Sequence, residues 1–255
     1  MSTPVIITSL ISLIPAVILT ICIFWLDRLE REPLTLLLRL LLTGAVFYFG
    51  AYYLRVQVVR AIDRVMAGQM EFNLTGVVSF DAPAARFLNQ ALNSWGAVAL
   101  IDVLAIWLVL RIFVVNLPDY DCFFDGIVYG AVTALGFAVS SCLFYALRFG
   151  MDTLVLRALV TGPSIIMTGV FTGLFFSLGK EREAGGGGSG AVFYLAALLV
   201  PAFLYGLLSF IRMVEDPGWK IPETGYMLVL TAASISVIWH YSKNDHYFPD
   251  IRQFH

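Results

Sequence analysis

Long apolar runs recur along this sequence, at about 4–26, 34–54, 95–115, 126–147, 154–178, 191–213 and 226–241. A helix needs about 20 such residues to cross the hydrocarbon of a bilayer, and in lipid each backbone polar group must be satisfied within its own element. The pattern predicts an all-α polytopic transmembrane helical bundle of about seven spans, with residues 1–255 forming a single membrane domain. Composition agrees, since the chain is 59% hydrophobic and 13% charged, whereas soluble domains run near 45–50% apolar and about 25% charged.

A net charge of -2 gives no reason to expect a nucleic-acid partner or a polybasic tether. Cys22, Cys122 and Cys142 show no paired spacing, which indicates neither a disulfide framework nor a metal cluster. The run at 4–26 lacks a charged n-region and exceeds a signal-peptide core, so it reads as a retained helix. Gly162 and Pro163 fall inside the fifth run, a break that favours protein neighbours over lipid. The stretch from Lys180 to Gly190, with its glycine run, reads as a flexible link.

The interval from Arg55 to Ser94 is polar by comparison. Within about 55–72, Val58, Ile62, Val65, Met66 and Met70 recur at three- and four-residue steps, while Arg55, Arg60, Asp63 and Arg64 point elsewhere. This is the pattern of an amphipathic segment at the membrane surface or of a packed loop helix. Lys and Arg on the N-terminal side of the bundle number eight against six opposite. With the long interval down-weighted the balance becomes four against six, leaning toward an external N-terminus and a cytoplasmic C-terminus.

Ionisable groups at membrane depth cost about 2.5–3.5 kcal/mol at a helix centre, so each needs a reason. Asp102, in the middle of the third run, is the clear case. It is either an acid or base in an enclosed cavity or a buried anchor bonded to a Ser, Tyr or Arg of a neighbouring helix. A polar transport path through Asp102 and Arg111 is a weaker reading, because the runs show no internal repeat.

The segment Asp125-Gly126-Ile127-Val128-Tyr129-Gly130-Ala131, followed by Ala134-Leu135-Gly136-Phe137-Ala138, places small residues where helices can approach closely. With the turn Asp27-Arg28-Leu29-Glu30-Arg31-Glu32-Pro33, it resembles the PrsW family of intramembrane proteases, relatives of the CAAX-processing proteases. The resemblance implies a bacterial cytoplasmic membrane location and peptide hydrolysis within the membrane. It also implies an active site built from Glu-Glu-x-x-Lys, Phe-x-x-x-Glu and histidines in later helices, the last within His-x-x-x-Asp.

On this frame the glutamate pair falls on Ile101 and Asp102, and the lysine on Ala105. Phe-x-x-x-Glu falls on Phe137 and Ser141, with Cys142 next. The fifth-span histidine falls on Ser164, ahead of Thr168, and His-x-x-x-Asp falls on Tyr205 and Ser209. His240, His246 and His255 all lie at the end of the last run or in the tail, which predicts interfacial or solvated positions.

Peptide hydrolysis needs an activated water and a group to stabilise the oxyanion, supplied by a metal or by paired carboxylates. Asp102 alone supplies neither, a zinc site usually wants three protein ligands, and Ser141 and Cys142 have no base beside them in this frame. The expectation is a catalytically inactive PrsW-like bundle without cofactor or metal, contacting membrane lipid. It would serve as a scaffold or binding subunit for transmembrane helices of other proteins. The alternative is an active PrsW-type protease that cleaves single-span membrane proteins.

Overall fold

The computed structural model describes residues 33–72, 82–149, 161–214 and 220–249, together with Ile18 and Ile21. The first helix, α1, runs Leu34–Phe72, and α2 runs Ala82–Ala91. The backbone continues through π-helical turns at Leu92–Ala99 into α3, Leu100–Val109, and loosens again at Leu110–Val114. Then follow α4 (Phe123–Phe149), α5 (Gly162–Ala184), α6 (Ala191–Met213) and α7 (Lys220–Lys243).

Among the described residues, five stretches are long and apolar enough to cross a membrane: Leu34–Met66, Arg86–Val114, Phe123–Arg148, Gly162–Ala184 and Ala191–Met213. The protein is therefore an all-α membrane bundle. The predicted run at 226–241 lies inside α7, while 4–26 and 154–160 fall outside the described residues apart from Ile18 and Ile21.

Two boundaries differ from the sequence reading. The predicted surface segment at 55–72 is the continuation of α1, which forms one helix of 39 residues, about 58 Å at 1.5 Å per residue. No Gly or Pro interrupts it between Arg55 and Met66, so the ladder of helical hydrogen bonds runs on past the end of the apolar run. The polar interval is consequently short, because α2 has begun by Ala82. Similarly, Lys180 to Ala184 complete α5, and the turn is confined to Gly185–Gly190, where Gly186 (φ 70°) and Gly188 (φ 88°) adopt left-handed backbone. That turn is pinned by Gly190 N–H to Glu183 Oε1 (3.1 Å) and Arg182 Nε to the Gly187 carbonyl (3.1 Å). Gly162 and Pro163 lie at the described start of α5, next to Thr161, whose backbone is itself helical (φ -74°, ψ -41°).

Small residues set the packing, as the sequence indicated. A Cβ at Gly130 on α4 would strike the Gly169 carbonyl of α5, and one at Gly173 would strike the Gly126 carbonyl. Gly136 meets the Leu41 carbonyl of α1, so α4 lies backbone to backbone with two neighbours. The chain's C-terminal segment returns as a strap over the start of α4. Phe123 N–H bonds the His246 carbonyl (3.0 Å), Phe248 N–H bonds the Asp121 carbonyl (2.9 Å), and Phe248 is 1% exposed.

Candidate functional site

Tyr48, Ala51 and Arg55 recur at three- and four-residue steps on α1 and are all buried, so Arg55 belongs to the helix face that packs inward. Opposite it on α3 lies Asp102, 3% exposed. Arg55 Nη2 donates to Asp102 Oδ1 in a buried ion pair. Tyr48 and Ala51, on the same face of α1 as Arg55, share a buried cluster with Phe137 of α4 and Tyr205 of α6. Sequence reasoning allowed Asp102 an arginine partner but assigned Arg55 to a surface segment.

The other frame positions converge around this pair without rebuilding a polar site. Ile101, Ala105, Phe137 and Tyr205 share one buried apolar cluster with Tyr48 and Ile165. Phe137 is fully buried, with the Tyr48 ring edge-on at 5.2 Å. Ser141 and Cys142 are buried one turn further along α4. On α5, Ser164 Oγ donates to the Thr161 carbonyl (3.2 Å) and Thr168 Oγ1 to the Ile165 carbonyl (2.6 Å). Such back-bonding satisfies the hydroxyls within their own helix. Ser209, one turn beyond Tyr205, is buried.

Ser164, Thr168, Pro201 and Tyr205 line a cavity of about 10 Å³. That is the volume of a single water and leaves no room for an extended peptide. A larger apolar groove of about 560 Å³ opens between α1 and α3, with Ile101 and Ala105 on its wall and Val46, Phe49 and Leu54 at its rim.

As metal donors the frame residues offer one carboxylate and no imidazole, and that carboxylate faces a guanidinium. A divalent cation needs deprotonated, convergent ligands and repels a fixed positive charge. The residues present therefore do not fit a metal. Among the described residues, metal-ligand side chains come together at Asp121, Cys122 and Asp125, whose donor atoms lie within 4.8 Å of one another. This cluster sits at the start of α4, fifteen residues or about 22 Å along the helix from Phe137. Asp125 Oδ2 there accepts the Cys122 N–H (2.7 Å), a helix-capping contact. Burial pushes the Cys122 thiol up, and Asp125 and Asp121 push it further, which holds it protonated.

The two described histidines, His240 and His246, stay away from the frame. His246 Nε2 lies 2.9 Å from Glu181 Oε1 and its ring stacks on Phe123, whereas His240 is exposed. His255 lies outside the described residues. Arg111 is likewise apart from Asp102, lying over the Tyr194 ring at 5.4 Å.

The sequence pattern of the PrsW-protease family, described as PrsW family intramembrane metalloprotease, matches residues 32–238. The chain is 30% identical to Protease PrsW of Geobacillus kaustophilus over 222 residues, covering 87% of this chain and 86% of the relative. It is 29% identical to Protease PrsW of Bacillus subtilis, covering 77% and 78% of the two chains. With Protease PrsW of Clostridioides difficile the identity is 26%, over 91% and 90%. No solved structure matches the chain. The apolar helices and the bacterial relatives together make this an integral protein of the bacterial cytoplasmic membrane. By the extent of these matches, the chain belongs to the PrsW family of intramembrane proteases.

Proposed function

We propose that this protein is a PrsW-family member whose hydrolytic site has given way to a structural ion pair, and that it acts as a scaffold or binding subunit for other membrane proteins. The observation that carries this reading is the contact between Arg55 and Asp102. A carboxylate bonded to a permanently charged guanidinium is not available to take a proton from water or to ligate a metal. The other frame positions carry apolar, hydroxyl or phenol side chains, so no second group completes an acid–base pair. The family's description names a metalloprotease, and the donor set of this chain does not support that chemistry.

What the fold retains is apolar surface. The groove between α1 and α3 is walled by Phe47, Gly50, Ala51, Ile101, Leu104 and Leu108, a lining that a foreign transmembrane helix covers by van der Waals packing. Purification in mild detergent tests the proposal: a stoichiometric membrane protein should co-purify, and a monomer without partner would count against it.

A second reading rests on the relatives, each named a protease. It assigns this chain hydrolysis of single-span membrane proteins through Asp102. Co-expression with such proteins separates the two. Cleavage that disappears in Asp102→Asn establishes the second reading, and absence of cleavage in wild type favours the first.

A further inference from the structure

The net charge of -2 conceals a separation of charge along the bundle axis. The up-and-down order of the helices brings the C-terminal ends of α1, α4 and α6 to one end, with the start of α2 between them. Arg60, Arg64, Arg86 and Arg148 are exposed there and Arg212 is half-buried, against Asp63 and Glu223. Glu223 is taken by Arg212 at 2.9 Å. Arg148 donates to Tyr52 (2.8 Å), whereas Arg60, Arg64 and Arg86 have no partner within the described residues.

The opposite end is acidic, with Asp119, Asp121, Asp125, Glu181, Glu183 and Asp245. Of its described cations, Lys180 donates to the Tyr120 carbonyl, Arg182 to the Gly187 carbonyl, Lys243 lies 4.1 Å from the Trp239 ring centroid and Arg111 lies 5.4 Å from the Tyr194 ring centroid, while Arg39 is exposed. Among the described side chains one end thus carries five arginines against two carboxylates, and the other five cations against six carboxylates.

We propose that the end carrying Arg60, Arg64, Arg86, Arg148 and Arg212 faces the cytoplasm and rests on anionic phospholipid headgroups. Exposed arginines near helix ends are retained on the cytoplasmic side, where the leaflet is anionic. Down-weighting the polar interval, the step that favoured the reverse orientation, loses its basis because that interval is helical up to Phe72 and again from Ala82. Arg60 and Arg64 therefore count as charges on a spanning helix. Tyr53 and Phe87, both exposed near this end, are placed to lie at the headgroup level beside the arginines. This orientation puts the strap at 244–249, with Asp245 and His246, on the external face.

Two measurements decide the matter, and neither depends on whether the protein hydrolyses anything. The full chain is reconstituted in nanodiscs of phosphatidylcholine containing a minor fraction of phosphatidylglycerol, and the retained lipid is quantified. Phosphatidylglycerol should be enriched around the protein, with the preference falling by about fivefold for each of Arg60→Gln, Arg64→Gln and Arg86→Gln. Enrichment that is absent, or unchanged in the triple variant, overturns the lipid contact.

For orientation, Ser189→Cys should react with a membrane-impermeant maleimide in intact cells, and Arg64→Cys only after lysis. The unsubstituted chain supplies the background from Cys22, Cys122 and Cys142. The reverse pattern overturns the assignment. Both substituted positions are exposed, so the fold does not depend on them.

Discussion

Arg55 on α1 and Asp102 on α3 are 47 positions apart in the chain and meet in a buried ion pair. Two charges removed from water recover their desolvation only through each other, so the pair is far more sensitive to losing one partner than to losing both. Asp102→Ala or Arg55→Met alone is expected to destabilise the bundle by about 3–5 kcal/mol. The double variant Arg55→Met with Asp102→Leu should lie close to wild type. Unfolding of the detergent-solubilised protein in a double-mutant cycle measures this, and strictly additive losses would show that the two charges do not act as a unit.

The α4–α5 contact depends on the absence of side chains. Gly130→Val forces a branched side chain into the Gly169 backbone, and a loss of about 1–3 kcal/mol follows from overpacking. Gly50 on α1 has nothing within 4 Å of an added Cβ. Gly50→Ala is therefore the control, neutral or stabilising by up to about 1 kcal/mol. The same unfolding assay compares them, and equal effects at the two positions would refute close packing as the cause.

Much of this architecture was legible before any coordinates. The span at 191–213 coincides with α6, since a glycine turn precedes it and no apolar signal follows it. The small residues of α4 announced close neighbours. Arg55 was not legible in the same way, because its charge and the polar residues after it match a surface helix as well as an inward face. Tyr48, Ala51 and Arg55 carried the signal at three- and four-residue spacing, but only a partner on another helix gives that spacing a direction. The strap was hidden for a similar reason. His246 and Phe248 look like a solvated tail until the backbone pairing at Asp121 and Phe123 is seen.

Docking of the strap should depend on pH. The backbone carbonyl of Asn244 holds the His246 imidazolium and raises its pKa above the ordinary 6.5, and Glu181 adds to this. Burial raises Asp245 above its ordinary 3.8, partly countered by the N–H groups of Phe124 and His246. Both groups bind protons more tightly when docked, so both favour docking at lower pH. For His246 the stabilisation is complete below pH 6.5 and is lost as pH rises through the elevated value. Exchange of the Phe123 and Phe248 amides, corrected for intrinsic rates, should accelerate above neutrality. His246→Gln should flatten that dependence, and an unchanged profile in this variant would assign the effect elsewhere.

Positions that the resemblance assigns to the family's catalytic frame are packed in the apolar core. Ile101 stands where the resemblance places a glutamate, and it is 6% exposed among Ala99, Ala105 and Phe137. Returning the carboxylate as Ile101→Glu removes an apolar contact and places an ionisable group at membrane depth, which costs about 2.5–3.5 kcal/mol on insertion scales. Ala105→Lys lies four residues on, on the same helical face, so in the double variant the two new groups can pair and recover part of the loss. Neither variant restores a metal site, because Ser164, Tyr205 and Ser209 still supply no imidazole. The expected result is reduced unfolding stability for Ile101→Glu, partial rescue by Ala105→Lys, and no cleavage of co-expressed single-span proteins by either. A stable Ile101→Glu protein would mean that water reaches this position, and the reading of a filled frame would then fail.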